Sequence, residues 1–228
     1  MPFHEALTAA TADRRAQLFS VPVITDCLAG RVTRAQYLAF LGEAYHHVSH
    51  TVPLLMACGS RLPGGKAWLR DAVADYIEEE RGHDQWILDD IAATGGDAHA
   101  VRNGSPGEAT ELMVAYVYDH IARRNPVGFF GMVFVLEGTS AAIALHAADG
   151  IERALQLPKT ALRYLRSHGE TDRRHVRYFA ALVDRLDCDE DRASVLHVAR
   201  MVYRLYADVF RALPRAAIEE ITHERRSS

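Results

Sequence analysis

Apolar residues recur at every third or fourth position through nearly the whole chain, and no segment alternates as a strand would. That spacing confines the fold to packed helices. Punctuation divides the chain into seven. A first helix is expected over 4–18, followed by VPVITDCLAGRV with Pro22 and Gly30. Thr33 and Gln36 make a capping box for a second, ending near Gly59. RLPGG leads to a third over 66–94, stopped by Gly95 and Gly96. After the polar loop GGDAHAVRNGS, Ser105, Pro106 and Glu108 give cap, first-turn proline and acidic third position for a fourth. Asn125-Pro126 separates it from a fifth that runs to Gly150 or just beyond. Pro158 opens the sixth, and 189–212 form the seventh. The expectation is an all-α, single-domain bundle over 1–228, with 216–228 a frayed tail.

Polar groups on the apolar stripes are the chain's unusual property. The sixth helix sets His168, Asp172 and His175 four and three apart, in line with Leu165, Phe179 and Leu182. The third runs Val73, Tyr76, Glu80, His83, Ile87, Ile91. The second runs Phe40, Glu43, His47, His50, Leu54, and the fifth Phe130, Phe134, Glu137, Ala141, Ala144. Buried carboxylates are costly unless paired or bound to a cation. Four helices bearing that cost point to one shared compensation, a metal. Carboxylate oxygen with imidazole nitrogen suits iron, manganese or zinc, and no thiolate is placed to join them. A Glu-x-x-His pair on a bundle helix is one way to build a dinuclear carboxylate site.

Bland readings compete with each motif. Glu79 and Glu80 could lie on a solvated acidic face, and Asp172 could pair with Arg173, Arg174 or Arg177. His46 and His50 read better as core or supporting histidines than as ligands, and Tyr45, Tyr76 and Tyr116 as core or pocket wall.

The formal charge of −4 gives no bulk attraction to nucleic acid or an anionic membrane. Three scattered cysteines, Cys27, Cys58 and Cys188, suggest a reducing compartment. No N-terminal signal peptide and no run of transmembrane length is read. A cytoplasmic protein is expected, with no nucleic-acid or membrane partner.

The segments EEERGH, VLEGTS and SHGETDRRH resemble the haem-oxygenase-like diiron oxidases, in the wider TenA-like and PqqC-like group. The resemblance covers most of the chain. It implies seven helices packed as in haem oxygenase, two irons of which the second is labile, O₂ as cosubstrate, a small amino-acid-derived or carboxylic substrate, and a homodimer. It carries metal ligation onto Glu80, His83, Glu137, His168, Asp172 and His175, with Glu43 an additional carboxylate. Glu79 is the substitute for Glu80, and His47 a further candidate beside Glu43. Some members place the first glutamate seven residues before the histidine, where this chain has Tyr76; others use Glu-x-x-His, which fits Glu80 and His83. RRNPVGFFGMVFV lacks the nucleophilic cysteine of thiaminase-type TenA proteins, and His4 is the single early candidate for a haem-binding histidine. Arg123 or Arg124 could hold a substrate carboxylate. The implied activity is a nonhaem iron oxidase or oxygenase. The alternatives are a metal-free PqqC-like oxidase and a non-catalytic metal-binding or regulatory protein. No helix-turn-helix is read in support of the regulatory alternative.

Overall fold

The structure, a computed structural model, describes residues 1–215, with all side chains except those of 170–174. The expected tail at 216–228 lies outside the described residues, as does the Asp172 side chain. Among the described residues there are twelve α-helices and no strand. They are α1 Phe3–Ala10, α2 Ala12–Phe19, α3 Pro22–Leu28, α4 Arg34–Val48, α5 Thr51–Arg61 and α6 Ala67–Glu80. Then follow α7 His83–Ala93, α8 Ala98–Asn103, α9 Glu108–Arg123, α10 Phe130–Leu155, α11 Arg163–Val183 and α12 Asp189–Ala212.

The excess over seven comes from breaks with local causes. Thr11 Oγ1 donates back to Leu7 O at 2.8 Å and separates α1 from α2. Pro53 in the first turn of α5 has no N–H to offer Ser49, so the expected second helix divides there. Gly82, at φ +86°, divides the expected third helix into α6 and α7. The polar loop before the fourth helix contains the short α8. The fourth helix itself begins after Gly107, not at Ser105. The Thr33–Gln36 capping box is present at the start of α4.

The core falls into two clusters. One gathers Leu54, Val73, Tyr76, Phe130, Phe179, Val198 and Tyr203; the other gathers Tyr37, Leu41, Ile87, Ile91, Ala148 and Leu162. α10 belongs to both, its first turns to one and its last turns to the other. At Gly131 it crosses α12 closely: a Cβ there would lie 2.4 Å from Val195 O and 2.6 Å from Ala199 N. Contrary to the sequence expectation, Pro126–Leu155 is long and apolar enough to cross a membrane by length and composition, at a mean hydropathy of 1.7. Its most apolar window is 61% buried inside the molecule, and this is the apolarity of a central core helix.

Candidate metal centre

Glu80 ends α6, and His83 begins α7 beyond the turn at Gly82. Although the two are not on one continuous helix, His83 Nδ1 lies 3.0 Å from Glu80 Oε2. His168 comes from α11, with Nδ1 3.0 Å from the Tyr164 carbonyl. A carbonyl only accepts, so Nδ1 carries the proton and Nε2 presents the lone pair. One ligand atom from each of Glu80, His83 and His168 can be chosen so that all lie within 4.8 Å of one another. Metal–ligand bonds of about 2.0–2.2 Å place ligands of one ion at most about twice that distance apart. The three residues come within a few tenths of an ångström of one ion's span, a difference that small side-chain rotations close.

A second group adjoins the first. His175, buried on α11, has Nε2 2.8 Å from Glu79 Oε2 and Nδ1 3.3 Å from Glu137 Oε1. The helical phase expected Glu80 inward and Glu79 outward. Side-chain exposures of 11% and 44% follow that phase, yet the Glu79 carboxylate still reaches the site. Burial acts to raise the Glu80 carboxyl. The His83 hydrogen bond and the charges of His83, His168 and His175 outweigh it and hold the group below the usual carboxylate range. Burial first, and then Glu137, Tyr178, Glu79 and Glu80, push the Tyr76 phenol up, so it stays protonated.

Two sequence candidates sit elsewhere. The Glu43 carboxylate accepts from Gly107 N at 3.1 and 3.2 Å and from Thr110 Oγ1. It caps α9, where the first-turn donors lack partners and the helix dipole favours an anion. It is therefore not brought to the Glu80–His83–His168 group. His47 lies on the wall of a neighbouring cavity, edge-on to Tyr206, outside the three-residue group. Burial, with the charges of His168, His50 and His46, pushes it down to about 4. His50 Nδ1 is 3.1 Å from Tyr118 OH, and His46 stands against Tyr45. Arg123, beside Asp119, and Arg124 are both exposed, and neither lines the cavity. His4 packs against Phe134 and Phe179 and is likewise off the cavity wall.

Sequence reasoning missed the residues that hold the ligands in place. Asp90 on α7 accepts from the backbone N–H of Arg163 at 3.1 Å and of Tyr164 at 2.9 Å. It thereby fixes the start of α11, the helix of His168, to the helix of His83. Burial pushes its carboxyl up to about 6 against those two hydrogen bonds. Trp86 packs against His83 with ring centroids 4.1 Å apart and planes tilted by 31°, and the Arg163 guanidinium sits over the Trp86 ring, 4.4 Å from its centroid. The signal for Asp90 was present: it follows Ile87 by three and falls on the buried side, but the pair Asp89-Asp90 reads as surface.

Glu80, Glu137 and His168 open onto a cavity of about 170 Å³ whose wall draws on both core clusters. Among solved structures, the chain is similar to a domain of unknown function with a heme oxygenase-like fold from Shewanella denitrificans OS217. The identity is 24%, the TM-score 0.81, and the match covers 99% of this chain and 94% of that one. A TenA homolog from Pseudomonas syringae pv. tomato DC3000 matches at 11% identity and TM-score 0.77, over 92% and 91% of the two chains. Heme oxygenase from Leptospira interrogans matches at 16% identity and TM-score 0.73, over 93% and 100%. These likenesses show the all-α haem oxygenase-like and TenA-like fold. No curated protein sequence matches the chain. Residues 38–207, three quarters of the sequence, fit the family profile described as iron-containing redox enzyme, and the chain belongs to that family.

Proposed function

We propose that this protein is an O₂-dependent nonhaem iron oxidase or oxygenase acting on a small molecule. The observation that supports it most is the convergence of Glu80, His83 and His168 from three helices onto a space close to one ion's size. One carboxylate and two imidazoles are a donor set that iron accepts. Glu137, His175 and Glu79 are the described residues suited to a second ion, and Asp172 is the further candidate from the sequence. Bound iron supplies the electrons that O₂ needs in order to react.

The chain's own residues do the rest. The Tyr164 carbonyl fixes the His168 tautomer, and Glu80 fixes the His83 ring. Glu80, ionised and buried, supplies negative charge that favours a cation over water in the site. The apolar wall keeps bulk water away from the face where substrate lies. His4, the early histidine that a haem would need, is packed away from the cavity, which favours nonhaem iron.

The test is O₂ uptake by protein loaded anaerobically with ferrous iron, beside iron-free protein and His168→Ala loaded in the same way. Rapid uptake by the loaded wild type, at least ten-fold slower in the variant and absent without iron, is expected. Uptake independent of iron would instead indicate a metal-free oxidase. Iron retention without uptake would indicate a metal-binding protein.

A further inference from the structure

The chain carries a net charge of −4, yet one face of it is basic. A cleft of about 200 Å³ between α2 and α12 is lined by Arg14, Gln17, Tyr203, Arg204, Ala207 and Arg211. It shares no described lining residue with the cavity beside the candidate metal centre. Arg204 and Arg211 stand two turns apart on one face of α12, a rise of about 10.5 Å. Ala207 lies between them, and its small side chain leaves the gap open. Arg14 lines the same cleft from α2, with Nη1 3.4 Å from Gln17 Oε1. The three arginines are exposed and form the rim; Tyr203 and Ala207, each 2% exposed, form the floor. Two further arginines add to the field. The charge of Arg15 acts on the Tyr203 phenol, and Arg200, one turn before Arg204, donates to Ala10 O at 3.3 Å.

Elsewhere arginines meet carboxylates: Arg31 meets Asp26, Arg123 meets Asp119, and Arg166 meets Asp149 and Glu152. In the cleft Arg211 meets Asp208 at 2.6 Å, while Arg14 and Arg204 have no carboxylate partner among the described residues. Like charges around one gap repel, and an anion among them removes that repulsion. A carboxylate has one charge and two oxygens, which a single guanidinium satisfies. A terminal phosphate has a second charge and a third oxygen to share among several guanidiniums. We propose that the cleft between α2 and α12 binds a terminal phosphate group of a small molecule, held by Arg14, Arg204 and Arg211. The buried floor suits a group that ends there. A nucleic-acid phosphate carries a single charge and continues on both sides, so it fits the cleft less well. Binding needs no iron and does not depend on the oxidase reading.

Calorimetric titration at physiological ionic strength tests this, on iron-free protein because iron would itself take up phosphate. The probes are inorganic diphosphate and phenyl phosphate, with acetate, a short DNA duplex and polyglutamate for comparison. At least one phosphate probe should bind saturably, one per chain, and at least ten-fold more tightly than acetate. Binding of phenyl phosphate supports an organic phosphomonoester as the ligand, and binding of diphosphate alone supports a diphosphate. Arg14→Gln and Arg204→Gln, both on the exposed rim, should each weaken that probe about ten-fold while circular dichroism stays unchanged. Arg123→Gln, the same change of charge outside the cleft, should leave the affinity within about two-fold. No saturable binding of either phosphate probe would overturn the proposal. So would wild-type affinity in both rim variants, or an equal loss in Arg123→Gln. Tighter binding of DNA or polyglutamate through the same arginines would overturn it in favour of a macromolecular surface. Should the protein hold no iron or take up no O₂, the oxidase reading fails while the phosphate result stands.

Discussion

At the scale of single residues, His47 shows how burial sets chemistry. Its imidazole titrates at about 4 in the folded chain, against roughly 6.5 when exposed. Between those values the unfolded chain binds a proton that the folded chain does not. Stability present above pH ~6.5 is therefore lost as pH falls toward 4. At about 1.4 kcal/mol per unit, the loss amounts to roughly 3 kcal/mol. Asp90 works in the opposite sense. Its carboxyl is raised from 3.8 to about 6, so its contribution is present at low pH and lost as pH rises through 6. His47→Leu separates the two. In urea unfolding between pH 4.5 and 8, wild type should lose stability relative to the variant as pH falls below about 6.5. Parallel curves would mean that the buried imidazole is protonated where it lies.

Among the elements, the local signals were legible and the tertiary ones were not. The seventh expected helix, 189–212, is α12 in full, and the Thr33–Gln36 box opens α4 as its spacing required. Those features depend on residues within one turn of each other. The Glu43 cap on α9 and the Asp90 cap on α11 join residues 64 and 73 apart, which no local pattern contains. The same gap explains the site. Helical phase correctly ranked the burial of Glu80 over Glu79, but the reach of Glu79 to His175 depends on how α6 packs on α11. Asp90→Ala tests whether a cap so far from the ligands in sequence positions them. It leaves the Arg163 and Tyr164 N–H groups buried without their acceptor, at a cost on the order of 1–3 kcal/mol. The melting temperature should fall and iron affinity should fall with it, although no ligand is removed. Asp90→Asn, which keeps one acceptor, should lie between. A lower melting temperature with wild-type iron affinity would make Asp90 a stability residue alone.

For the whole molecule, the arrangement follows from a core divided in two. α10 threads both clusters, is held to α12 by the close approach at Gly131, and carries Glu137 where the clusters meet. The cavity occupies that seam, with Glu80, Glu137 and His168 bordering it beside the apolar residues of both clusters. A helix apolar enough to cross a membrane is here the axis of a helical bundle, because the other helices cover it. The account's central claim is that iron sits where α6, α7 and α11 meet. Anomalous diffraction at the iron edge from crystals soaked anaerobically in ferrous iron tests it most directly. A peak within about 2.0–2.3 Å of ligand atoms of Glu80, His83 and His168 is the predicted result. A fully loaded crystal whose iron lies on other residues, with these three side chains unchanged, would contradict it.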